Sequence, residues 1–172
     1  SNILSFTGAS AEFKTITIST NDDNYLEAVE NFVLNLSAIS NTLVTYDSQA
    51  TVTLNDNDTA SLIVSDVIAN EGDNTVFIVT LTGNVQGGVS IDYATANNSA
   101  FSSSDYTTTS GTLNFTGTAP ESFTITVPTT EDDIAEPNEN FYLNFSNSSN
   151  ALVTSDAQAI GTITDDDVYT IS

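Results

Sequence analysis

The chain has 172 residues, of which 23 are Asp or Glu and one, Lys14, is basic, for a formal net charge of −22. That balance excludes nucleic acid as an electrostatic partner and argues against docking on an anionic membrane, because both need clustered Lys and Arg. Cysteine, histidine, methionine and tryptophan are absent, so there is no disulfide framework, no imidazole base and no thiol nucleophile.

Residues 1–58 open the chain with three strand-like segments. Ile16 and Ile18 alternate with Thr, then Phe32, Leu34 and Leu36 follow, then Val52 and Leu54. A period of two describes a strand with one buried face. The acidic run Asp22–Glu30 sits between the first and second of these segments, and Asp56 and Asp58 close the third.

From Thr59 onward seven strands are predicted, near 60–65, 75–82, 89–95, 111–115, 122–129, 140–146 and 158–164. Turn-forming clusters separate them: Asn70–Asn74, Gly83–Gly88, Asn97–Ser104, Thr116–Pro120 and Asp132–Asn138. Gly161 in the last strand suggests a bulge. Phe115, Phe123, Phe141, Phe145, Phe6 and Phe32 alternate in register and read as core. No segment has a helical period, and no apolar run approaches the ~18 residues of a membrane helix. Seven short strands in about a hundred residues describe an immunoglobulin-like antiparallel β-sandwich, without the Cys–Trp–Cys marks of antibody domains. Thr, Ser and Asn exceed a third of the residues, which suits long β-rich surface proteins.

The two parts are copies. Moving Leu4–Asp58 by 109 positions lays it on Leu113–Asp167 without a gap and with about half of the positions identical. LSFTG meets LNFTG, and LVTYDSQATVTLNDND meets LVTSDAQAIGTITDDD. The expected organisation is therefore all-β sandwich repeats in tandem. Residues 1–58 are the second half of one repeat, 59–167 a complete repeat, and 168–172 the start of the next.

The shared residues include the pairs Asp23/Asp132, Glu27/Glu136, Glu30/Glu139, Asp56/Asp165 and Asp58/Asp167. A repeat that keeps apolar positions keeps its fold; one that also keeps carboxylates points to a cation site. With alternating strand directions, the ends of the fifth and seventh strands reach one pole. The loop with Asp105 and the turn with Glu71 reach the same pole. Carboxylates 4 Å apart repel by about 1 kcal/mol in water and about 4 kcal/mol at an effective dielectric of 20. A merely solvated acidic pole is the alternative, but two retained runs and two further acids at one pole favour a metal. A hard dication such as Ca²⁺ takes six to eight oxygen ligands from flexible loops of this kind.

Five stretches carry a resemblance to the Calx-β domains of sodium/calcium exchangers and bacterial surface proteins. They are Ala69-Asn-Glu71-Gly72; Ile91-Asp-Tyr93-Ala-Thr95-Ala; Asp105-Tyr106 leading to Gly111-Thr-Leu113-Asn-Phe115; Glu131-Asp-Asp133 with Glu136, Glu139 and Phe141; and Asp165-Asp-Asp167. The resemblance implies Ca²⁺ ligands at Glu71, Asp105, Asp132, Asp133, Glu136, Glu139, Asp165, Asp166 and Asp167. The first copy departs from it at Asn24 and Asn57 and has no counterpart of Glu71 or Asp105. Its carboxylates Asp23, Glu27, Glu30, Asp56 and Asp58 are candidate ligands of a second site. Asp58-Thr59-Ala60 resembles a bacterial O-glycosylation triplet with Thr59 as acceptor.

Catalysis is not expected. Glycosidase carboxylates need a substrate cleft, usually lined with aromatics, and these acids crowd a loop pole. The expected role is a calcium-rigidified structural repeat of a large bacterial cell-surface adhesin. Such a protein would be extracellular and anchored to the outer membrane through another part of the chain. Its partners would be calcium ions, neighbouring repeats and a surface or glycan target. The alternatives are a calcium-sensing module, as in exchangers, and a sandwich that itself binds glycan or protein.

Overall fold

The computed structural model describes residues 3–168. Among the described residues there is no helix, and so none long and apolar enough to cross a membrane. The first part contributes β1 (Tyr25–Leu26), β2 (Glu30–Asn35) and β3 (Gln49–Leu54). The second part contributes ten strands: β4 (Ser61–Val64), β5 (Val67–Asn70), β6 (Asn74–Thr82), β7 (Asn84–Val85), β8 (Val89–Asn97), β9 (Ser110–Phe115), β10 (Glu121–Pro128), β11 (Glu139–Ser146), β12 (Thr154–Ser155) and β13 (Gln158–Thr164). One sheet has the order β10-β6-β4-β12 and the other β5-β13-β11-β8-β9. Together they make an immunoglobulin-like sandwich.

Alternation builds the core. In β6 the side chains of Phe77, Val79 and Leu81 point inward and are all but fully buried, while Val76 and Ile78 lie half exposed on the outer face. Phe141 sits at the centre, stacked on Tyr106 with ring centroids 4.6 Å apart and edge-on to Phe77 at 6.1 Å. The Tyr106 hydroxyl donates to Asn97 Oδ1 at 2.6 Å, which satisfies the one polar atom this ring brings inside.

Three features differ from expectation. The predicted strand at 60–65 forms β4, which pairs antiparallel with β6, but it is followed by a strand that the sequence reading did not place: β5 lies on the other sheet and pairs parallel with β13. Ser65-Asp66 links β4 to β5 across the two sheets. The pairing of β12 with β4 is also parallel, so the sandwich is antiparallel except at these two edge pairings. No bulge occurs at Gly161, because β13 keeps an unbroken register with β11 in which Gly161 faces Phe141. A Cβ at that position would run into the Phe141 ring, so the glycine makes room for the central aromatic.

The third difference lies in the first part. The segment around Ile16 and Ile18 forms no strand. Its counterpart β10 pairs only with β6, and residues 1–58 contain no copy of β6. Ile16, Ile18 and Leu36 are accordingly exposed, and Phe6 is 57% exposed rather than core. Among the described residues of this part, only the hairpin β2–β3 and the short β1 form, with Phe32, Leu34, Val52 and Leu54 half-buried. The expected start of a further repeat at 168–172 lies, Val168 apart, outside the described residues.

Candidate metal centre

Four connections meet at one end of the sandwich. Glu71 follows β5, Asp105 lies between β8 and β9, residues 129–138 join β10 to β11, and Asp165 follows β13. Backbone hydrogen bonds stitch these loops together. Glu71 N–H donates to Thr164 O at 3.1 Å, Gly72 N–H to Thr130 O at 3.3 Å, and Thr130 N–H to Asp105 O at 2.9 Å. Gly72, at a φ of +74°, takes the left-handed turn that lets the chain pass beneath Glu131.

The carboxylates fall into two trios, in each of which one oxygen per residue lies within 4.8 Å of the others. One trio is Glu71, Asp165 and Asp167; the other is Asp105, Glu136 and Glu139. Residues of both trios line one small cleft, formed by Glu71, Ser104, Asp105, Thr130, Asp132, Glu136, Pro137, Glu139, Ile163 and Asp165. Two oxygens on opposite sides of a Ca²⁺, each about 2.4 Å away, would stand about 4.8 Å apart. The spacing therefore suits a shared cation, and the all-oxygen donor set suits a hard one.

The electrostatics have the same character. Burial, and then the charges of Asp165, Asp132, Asp167 and Glu131, push Glu71 up to about 7. Burial also leads in raising Glu139 to about 7, with Asp105 and Glu136 adding to it. Glu131 and Asp167 are raised by burial and by neighbouring carboxylates. Burial pushes Asp105 up too, but hydrogen bonds from Ser104, the Phe101 N–H and Glu139 outweigh it and leave its pKa lowered. Two buried oxygens, Glu71 Oε1 and Asp167 Oδ2, have no hydrogen-bond partner. Buried polar atoms are ordinarily paired, and a buried carboxylate oxygen without a donor is costly. No basic side chain is at hand to pair with them: Lys14, alone in the sequence, bonds to Glu12 at 3.2 Å.

Of the remaining expected ligands in this unit, Asp132 lines the cleft while its Oδ1 accepts the Ile134 N–H at 2.7 Å. Asp133 and Asp166 are exposed and stand outside both trios. Ser104 and Thr130 line the cleft although the sequence does not distinguish them from the many other hydroxyls around them.

The first copy is less gathered. Asp56 Oδ2 accepts the Glu27 N–H at 3.0 Å. Glu27 is raised by burial and then by Asp23, Glu30 and Asp56, and Asp58 by burial and then by Asp56, Asp22 and Asp23. Among the described residues, however, none of Asp23, Glu27, Glu30, Asp56 and Asp58 belongs to a trio at the spacing above. The loops that carry Glu71 and Asp105 in the complete unit have no counterpart here. Thr59 is exposed at the junction between the copies.

The family model of the Calx-beta domain matches residues 2–58 and 63–167. The chain belongs to the Calx-beta domain family. Its Calx-beta fold is similar to that of the apo-form Calx CBD1 domain, at 21% identity and a TM-score of 0.57, over 64% of this chain and 100% of that one. It is also similar to the calcium binding domain CBD12 of CALX1.1, at 21% identity and 0.55, over 63% of this chain and 44% of that one. A third likeness is to CBD12 from CALX1.2, at 23% and 0.54, over 63% and 46%. At these identities the likeness is one of fold. No curated protein sequence matches the chain.

Proposed function

We propose that this Calx-beta chain binds Ca²⁺ at the acidic pole of its complete unit and uses the ion as a structural staple. The observation that carries the reading is the pair of buried, unpartnered oxygens of Glu71 and Asp167, set among like charges with no basic side chain to neutralise them. A dication would supply the missing partner for both oxygens and turn the repulsion into attraction. The complete unit's residues Glu71, Asp105, Asp132, Glu136, Glu139, Asp165 and Asp167 would hold it, with Asp133 and Asp166 adding charge from the rim. Residues 1–58 carry no counterpart of Glu71 or Asp105, so the proposal concerns the complete unit alone. Similarity to a structure described as a calcium binding domain supports the choice of ion.

The finer reading is a repeat in an extracellular stalk of a bacterial adhesin. It rests on the tandem copies, the low basic content and the Thr, Ser and Asn content. Under this reading the chain has no catalytic role. The alternative is a calcium-sensing module, with which the likeness to a structure described as a calcium binding domain agrees equally well. Calorimetric titration of the chelated chain with Ca²⁺ and then Mg²⁺ tests both. Saturable Ca²⁺ binding with little response to Mg²⁺ supports the metal centre. A dissociation constant near about 10⁻⁴–10⁻³ M fits an extracellular staple and one near about 10⁻⁷–10⁻⁵ M a sensor. No heat beyond dilution would sink the proposal.

A further inference from the structure

The hairpin of the first part leaves one strand edge open. β2 pairs with β3 alone, and among the described residues no backbone hydrogen bond reaches its other side. Leu36 N–H donates to Ser48 O at 2.8 Å, so Leu36, and by alternation Leu34, Phe32 and Glu30, turn their main-chain groups toward β3. Asn31, Val33 and Asn35 turn theirs outward. All three residues are exposed, Val33 to 45%. A row of unpaired N–H and C=O groups is a template for another strand.

The complete unit shows what such an edge takes. By the 109-residue shift β2 corresponds to β11, which on this side pairs antiparallel with β8. The free edge of β3 corresponds instead to the side of β13 that takes β5 in parallel. A two-fold axis joins a strand to itself only antiparallel, so the edge of β2 is the one suited to a second copy of the chain. β8 of that copy is held between β11 and β9, whereas its β2 is free. With Val33 opposite Val33, Asn31 of each copy meets Asn35 of the other, and every outward residue exchanges both of its main-chain bonds. The axis stands perpendicular to the sheet, so Phe32, Leu34, Val52 and Leu54 of both hairpins share one face.

Charge does not oppose this contact as it would elsewhere on the molecule. Residues 31–55 hold one acid, Asp47, and residues 1–21 hold Glu12 paired with Lys14. The two copies of Glu30 would stand at opposite ends of the strand pair, about 20 Å apart. That is well beyond the screening length of about 8 Å in physiological salt. We propose that β2 is a homodimerisation strand, whose Asn31–Asn35 edge pairs antiparallel with the same edge of a second copy about a two-fold axis at Val33.

Light scattering and sedimentation of the whole chain in chelator, so that no ion contributes, test the association. They should show a concentration-dependent species of twice the 18.1 kDa chain. Val33→Pro removes the central donor of each copy while sparing the bonds to β3, and should weaken the dimer by about tenfold or more. Val33→Glu changes only an exposed side chain, sets two carboxylates face to face, and should weaken it as well. The melt of the complete unit should be unchanged in both variants, which separates loss of the dimer from loss of the fold. Register is read by disulfides, since the protein has no cysteine and facing Cα atoms in such a pair stand about 5.5 Å apart. Val33→Cys should close between chains under mild oxidation. Asn35→Cys should not close with itself, but should close when mixed with Asn31→Cys. A chain that stays monomeric overturns the proposal, as does a dimer indifferent to both Val33 substitutions or one in which Asn35→Cys closes as readily as Val33→Cys. A monomer whose Val33 amide is protected from exchange only after a peptide of residues 89–97 is added assigns the edge to a strand like β8, and overturns the proposal equally.

Discussion

The two copies of the repeat share about half of their residues, yet one is a sandwich and the other a hairpin beside it. The hairpins themselves agree in detail. Glu30 faces Leu54 as Glu139 faces Ile163, and the register continues in step along both pairs. Gln49 bonds to Asn35 as Gln158 does to Asn144, and Thr7 bonds to Glu12 as Thr116 does to Glu121. Burial does not agree. Phe115 is 4% exposed and its counterpart Phe6 57%; Ile125 is 2% exposed and its counterpart Ile16 42%. Local pairing therefore follows from local sequence, while burial requires the strands β4–β8 that only the complete unit contains. The same holds for charge. Both copies keep the acidic loop and the terminal acids, but only the complete unit adds Glu71 and Asp105, and only there do trios form among the described residues.

The sharpest way to break this comparison is to remove the same ring from each copy. Phe141→Ala should cost about 3–5 kcal/mol, the usual range for a fully buried Phe. Phe32→Ala, in a half-buried hairpin, should cost less than about 1 kcal/mol. Denaturant unfolding of both variants measures this, and equal losses would mean that the first copy has a core of its own.

Removing the ion comes next. A ligand that binds only the folded state stabilises it by about 2.7 kcal/mol at a hundredfold excess over its dissociation constant. Chelation should therefore lower the melting temperature of the complete unit's transition, and Mg²⁺ should restore little of it. An unchanged melt in chelator would reduce the pole to a tolerated cluster of charges.

The individual carboxylates should then separate the copies. Glu136→Gln or Asp165→Asn should weaken Ca²⁺ binding by tenfold or more, about 1.4 kcal/mol. The counterparts Glu27→Gln and Asp56→Asn, outside any trio, should change it little. Calorimetry that found all four equal would argue for diffuse counter-ion attraction instead of a built site.

The comparison can also be sharpened through pH dependence. The pKa of Glu71 is raised from 4.5 to about 7, as is that of Glu139. Between those values the folded, chelated protein holds more protons than the unfolded chain, so its stability should fall as the pH rises from about 4.5 to about 7. Protons and Ca²⁺ compete for the same oxygens, so saturating Ca²⁺ should flatten or reverse that slope. Melting curves across this range in chelator and in Ca²⁺ check both signs. A chelated protein that gains stability toward pH 7 would contradict the raised pKa values.

The strand pattern, the 109-residue repeat and the acidic loops were legible in the amino-acid sequence, because alternation, turn residues and charge runs are local properties of the chain. So was the family resemblance carried by those motifs. Three things were decided only by tertiary structure. The crossover of β5 to the second sheet depends on which edge is open beside β13, not on Val67–Asn70 themselves. Gly161 read as a bulge because its neighbour Phe141 comes from another strand and cannot be seen in a window of sequence. The seating of Tyr25–Leu26 on Asn84–Val85 joins residues about sixty positions apart through a two-residue strand too short to have any period. Propensity and periodicity act over a few residues; the partner that buries a side chain, or brings a carboxylate to another, is supplied by whatever the folded chain places opposite.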